Sequence, residues 1–161
     1  MTHNDNPEKV FKKTISKYSG QLTIRLPFIR NCAASVGRFM ILSRDLQNND
    51  RGRTILLHEH GHYLDYKKLG FFRYFLGIAL PSVINASRKP EKRRIIGYYN
   101  QPWEIQADEL ANISRNEHTN EASNLGKSYH KYLISIKRTG WLRFLFKDLP
   151  AFINHNFNAL I

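Results

Sequence analysis

A chain of 161 residues, 42% hydrophobic and 24% charged, can build one hydrophobic core and is too ordinary in composition to be disordered overall. Its single cysteine, Cys32, excludes an internal disulfide framework and a cysteine-built zinc cluster, and no disulfide partner is expected, so any metal must be held by His, Asp and Glu. The formal charge of +12 points either to an anionic partner (an acidic protein, nucleic acid or a lipid surface) or to a solvated basic face that aids solubility.

Residues 1–20 are polar and lysine-rich and are expected to form a loose arm or a frayed first helix, ahead of one domain over 21–161. They lack the apolar core of a signal peptide, which implies a cytoplasmic protein, export by a signal-independent route, or a piece of something longer. From Gln21 the pattern alternates, with Leu22, Ile24 and Leu26 on one side and Thr23 and Arg25 on the other, a half-buried strand ended by Pro27. A second strand is expected over Gly37–Ser43, followed by a turn through Asn48–Gly52.

Thr54 is placed to cap a helix running to Leu69, with Gly70 in the stop position. The apolar stretch from Phe71 to Ala86 holds Arg73, Gly77 and Pro81 and falls short of the roughly 20 residues of a membrane span. It predicts a buried helix over 71–79, broken at Pro81, with membrane contact as the alternative. Residues 87–100 predict a basic, exposed loop. Pro102, a preferred first-turn residue, opens a further helix carrying Trp103, Glu104, Ala107, Asp108 and Ala111. Another helix is expected over 121–137, and an aromatic-rich segment follows from Trp141. The balance is α+β, mostly helical, with a small sheet near the start.

The sequence His58-Glu59-His60-Gly61-His62 fits the H-E-x-x-H pattern. On a helix, residues four apart share a face, so the imidazoles of His58 and His62 can reach one zinc ion at about 2.0–2.1 Å. Glu59 then sits beside the ion's open position, where it can act as general base on water that the metal has acidified. The competing reading is a histidine-rich amphipathic helix without metal.

A protein zinc site needs a third ligand. Glu104 is the best candidate, and Asp108, four residues on, can orient a ligand histidine through its other ring nitrogen. Both acids could instead be first-turn residues favoured by the helix dipole. Asp65, three residues after His62, shares its face and could approach the metal, but a supporting bond or a cap suits it better. His60 points away from this face. His118, Tyr98 and Tyr99 are candidates to stabilise a transition-state oxyanion.

His58–His62 followed by Glu104-Ile-Gln-Ala-Asp108 resembles the gluzincin metallopeptidases, the thermolysin-like group with an H-E-x-x-H helix and a downstream E-x-x-x-D. The resemblance implies a zincin-like fold with Zn²⁺ on His58, His62 and Glu104, Glu59 as base and Asp108 in support. More locally, His58–Gly70, Leu80–Ala86 and Trp103–Asp108 are similar to small bacterial metallopeptidase domains, some of them at the ends of secreted antibacterial toxins. The likeness covers residues 35–110 and lacks the separate C-terminal domain of larger gluzincins.

The leading expectation is therefore a zinc-dependent hydrolase of peptide or protein substrates, with a toxin-like effector role fitting the size and charge, pairing an extended substrate along the edge of the strand Gly37–Ser43. A basic nucleic-acid- or membrane-binding module with a structural or vestigial metal site is the alternative. A fourth protein ligand such as Asp65 would favour it, because structural zinc sites are closed.

Overall fold

The alternation that starts at Gln21 needs neighbouring strands to pair with, and the chain supplies three. A computed structural model describes residues 7–30, 32–87, 99–114, 120–136, 140–148 and 150. In it β1 (Ile15–Tyr18), β2 (Gln21–Leu26), β3 (Ala33–Val36) and β4 (Phe39–Ser43) form one mixed sheet, in the order β1-β2-β4-β3. β1 and β2 are an antiparallel hairpin turning at Ser19–Gly20, and β3 and β4 another turning at Gly37–Arg38. β2 and β4 run parallel, Leu22 facing Phe39. The fold is α+β, as expected.

Contacts divide the chain into two compact units, Met1–Gly70 with Ala107–Arg115, and Phe71–Gln106 with Asn116–Ile161. The first holds α1 (Pro7–Lys12) and the sheet, and most of α2 (Asp50–Tyr74). Its core gathers Val10 and Phe11 of α1 with Tyr18, Met40, Leu42, Leu46 and Leu56. Each such side chain contributes roughly 1.5–3 kcal/mol by leaving water. Within the expected polar arm, residues 7–12 are thus helix and Ile15–Tyr18 is strand. Only Tyr18 of β1 is buried, which is why its sequence lacks a strand's apolar alternation.

Three features differ from expectation. The helix begins at Asp50, not after Thr54, because Asn49 accepts a hydrogen bond at Oδ1 from the Gly52 amide at 2.9 Å and so caps it. Thr54 Oγ1 instead donates back to the Asp50 carbonyl. The strand expected over Gly37–Ser43 starts at Phe39 and lies inside the sheet, between β2 and β3, so it offers no edge to a substrate. And on β2 it is the polar residues Gln21, Thr23 and Arg25 that are buried, Leu22, Ile24 and Leu26 being half-exposed. The Arg25 guanidinium explains this inversion: it donates to the carbonyls of Phe11, Arg44 and Leu46 and ties α1 and the loop after β4 to the sheet.

At Gly70 the backbone of α2 turns out of helical geometry (φ 76°, ψ 168°), a left-handed conformation that side chains resist. The second unit follows: a π-helical turn (Phe75–Ala79), α3 (Leu80–Ala86), most of α4 (Pro102–Leu110), α5 (Asn120–Ser135), α6 (Trp141–Arg143) and a second π-helical turn (Phe144–Asp148). Pro81 does not break the run as expected. It stands in the first turn of α3, where its missing N–H costs nothing. Nor is the stretch 71–86 buried throughout. Tyr74, Gly77, Ile78, Pro81 and Asn85 face inward, whereas Phe71, Phe72, Phe75 and Val83 are exposed. The inward side meets Tyr129, whose hydroxyl donates to the Gly77 carbonyl at 2.5 Å, and Tyr129 lies against Trp103. The expected basic loop falls almost wholly outside the described residues.

Candidate metal centre

The unit boundary falls inside α4, which is one continuous helix, so its residues Glu104 and Asp108 move together, one turn apart. α2 brings His58, Glu59, His62 and Asp65 into the interior, at 3%, 6%, 5% and 0% exposure. Four such polar groups on the inner face of one helix are costly unless they find partners or a metal. The rings of His58 and His62 lie 4.8 Å apart between centroids, nearly perpendicular. Between them, Gly61 is where α2 meets α4: a Cβ at this position would lie 2.0 Å from the Ala107 carbonyl oxygen. Only a hydrogen atom fits there, and the two helix backbones touch.

That contact sets the register of the pair. His58 Nδ1–H donates to Asp108 Oδ1 at 2.7 Å, both groups being almost without solvent. A carboxylate on Nδ1 fixes the tautomer, leaving Nε2 as the metal-donating atom. One turn earlier on α4, Glu104 is fully buried. Ligand atoms of His58, His62 and Glu104 all lie within 4.8 Å of one another. Among the described residues no other group of three His, Cys, Asp or Glu gathers as closely. Ser82 of α3 donates to Glu104 Oε1 at 2.7 Å and fixes the rotation of the carboxylate.

Two imidazoles and a carboxylate fit a zinc ion by chemistry and by reach. Zinc takes such ligands tetrahedrally, at about 2.0–2.1 Å. Asp65, equally buried, is not a member of the group. His60 packs its ring against Tyr18 and Tyr63 at 5.6 and 5.7 Å, away from the ligands, as its helical phase requires. Tyr99 is half-buried in the turn before α4, and Tyr98 and His118 lie outside the described residues.

Two contributors escaped the sequence reading. Gly61 carries no functional group, so a motif of ligands passes over it. Ser82 is a lone hydroxyl in an apolar run, and that isolation was the available signal. Compared with protein-family models, curated proteins and solved structures, the chain matches none.

Proposed function

We propose that this chain is a zinc-dependent metallopeptidase of the gluzincin type, with His58, His62 and Glu104 as metal ligands and Glu59 as general base. The observation that carries this reading is the three-residue donor group on two touching helices, with Asp108 behind His58. When bound there, zinc would polarise a scissile carbonyl and lower the pKa of its water toward about 7.

The chain's own residues supply the rest. Asp108 holds the His58 ring in one tautomer, and Ser82 holds the Glu104 carboxylate in one rotation. Glu59, buried beside the first ligand, takes a proton from the attacking water and returns it to the departing amine. Three ligands rather than four leave a coordination position for that water, and Asp65 outside the group supports a catalytic rather than a structural centre. β3 is one of the two edge strands of the sheet. The pKa of the Cys32 thiol, one residue ahead of β3, is pushed up by burial first and then by the carboxylates of Asp45 and Glu59. An extended substrate would add to the sheet along β3.

Elemental analysis of the purified chain tests the reading. About one zinc per chain is expected, lost in His58→Ala and in Glu104→Ala. Cleavage of a peptide library should vanish in Glu59→Gln while zinc stays bound. A parent chain that takes up no zinc, even when zinc is supplied, would sink the proposal.

A further inference from the structure

The second unit wears aromatic side chains on its outside. Phe71, Phe72 and Phe75 are 65%, 55% and 42% exposed, and Val83, two turns beyond Phe75, is 65% exposed. The same unit's C-terminal turn exposes Leu142 and Phe146 at 69% and 80%. These are not scattered singles. Phe71 stacks on Phe75 at 5.9 Å, and Phe72 sets its edge on the buried Trp141 ring at 5.3 Å, next in sequence to Leu142. Leu142 and Phe146 stand four apart, and beside them in the sequence stand Arg143 and Lys147 with the same spacing, both exposed. An apolar stripe edged by a basic one is the pattern of a helix that lies in a membrane interface.

Charge selects the occupant. From Phe71 to Trp103 the sequence holds six Lys or Arg and one acid, Glu91, and from Ala122 to Lys147 it holds six and none. A second copy of this chain would set positive charge against positive charge. Nucleic acid would answer the charge but leaves most of an aliphatic and aromatic face unburied. An anionic bilayer answers both, since phosphates meet the Lys and Arg heads while the rings enter the headgroup boundary. The helical run Asp50–Ala86 is apolar enough for a span by composition, but its break at Gly70 leaves Phe71–Ala86 too short to cross. We infer that the second unit docks flat on an anionic lipid surface through Phe71, Phe72, Phe75, Val83, Leu142 and Phe146, without spanning it.

The test is flotation of the full chain with vesicles of phosphatidylcholine alone or with about one-third phosphatidylglycerol. Binding to the anionic vesicles should exceed binding to the neutral ones by about tenfold or more and weaken as salt rises. Phe71→Ser with Phe75→Ser should cut that binding by about tenfold or more with the far-UV circular dichroism unchanged. Phe146→Ser alone, at the most exposed ring, should cut it measurably and guards against misfolding of the double variant. Lys147→Glu should weaken binding to anionic vesicles only. Absence of vesicle binding overturns the inference. So does anionic binding that all the phenylalanine variants retain, which would be charge alone. A chain that ignores vesicles but dimerises, or binds single-stranded oligonucleotide, through the same phenylalanines overturns it in favour of that occupant.

Discussion

The helical run from Asp50 to Ala86 departs from ordinary partition on both sides of Gly70. Before that residue the polar side chains are inside: His58, Glu59, His62 and Asp65 are buried, while Lys67 and Lys68 beyond them face water. After it four large apolar side chains are outside: Phe71, Phe72, Phe75 and Val83 are exposed, while Tyr74 and Ile78 face inward. Each half departs from ordinary partition in the opposite direction, and each departure has a cost. Buried imidazoles and carboxylates lose hydration, and exposed phenylalanines order water around them. A fold tolerates such costs where function requires them. The lesson is that the two halves are specified differently. The first is held by directed contacts to named atoms, whereas the exposed face of the second makes no structural demand on the residues that form it.

The sharpest way to break that contrast is Gly61→Ala. The added methyl would meet the Ala107 carbonyl, which is backbone and cannot swing aside, so α2 and α4 must part. A loss of about 3 kcal/mol in unfolding free energy is expected, together with the zinc, because His58 then leaves Asp108. Thermal denaturation with and without added zinc reads both. An unchanged melting temperature would mean that the helices are not held as closely as described.

Next in size are the residues that orient ligands. Asp108→Asn removes the charge behind His58 and should lower zinc affinity by about 10–100-fold, with Ser82→Ala at the lower end of that range. Competition with a chromophoric chelator measures both. Equal affinity in all three proteins would show that the ligands position themselves.

How much of this was legible beforehand follows the same division. The grouping of His58, His62 and Glu104, with Asp108 behind His58, could be named from spacing, because a metal-ligand motif restricts residue types and a helix restricts intervals. The start at Pro102 and the break at Gly70 were legible for similarly local reasons. β1 and β3 were not. Both are four-residue edge strands with one buried side chain each, too short for a period to show. The inversion of β2 was hidden because it depends on where Phe11, Arg44 and Leu46 place their carbonyls, which only the fold decides. Likewise the exposure of Phe71 and Phe75 cannot be read from an apolar run, since periodicity finds a helix but not which of its apolar sides is covered.

The second unit offers a smaller effect with a pH signature. Tyr132 donates its hydroxyl to Asp148, and its pKa is pushed up to about 12, by burial first and then by that hydrogen bond and the Asp148 charge. The folded chain therefore holds this proton more tightly than the unfolded chain, whose tyrosines titrate near 10. The resulting stability is complete below pH about 10 and is lost as the pH rises through about 12. Tyr132→Phe should cost about 1 kcal/mol at neutral pH. Denaturation curves of the two proteins should converge as the solution becomes strongly alkaline. A gap that persists there would assign the loss to packing rather than to the proton.

The smallest expected effect is the most telling about the exposed face. Val83→Ser replaces an apolar side chain that is already mostly in water, so nothing is uncovered and no cavity forms. The change in unfolding free energy should stay within about 0.5 kcal/mol, as for surface positions in general. Chemical denaturation checks this for the free protein. A destabilisation of several times that size would mean Val83 is covered in solution, and the stripe would then be part of a structural interface of the chain itself. Neutrality would leave the residue with no structural reason to be apolar. The reason would then have to lie in what the face touches.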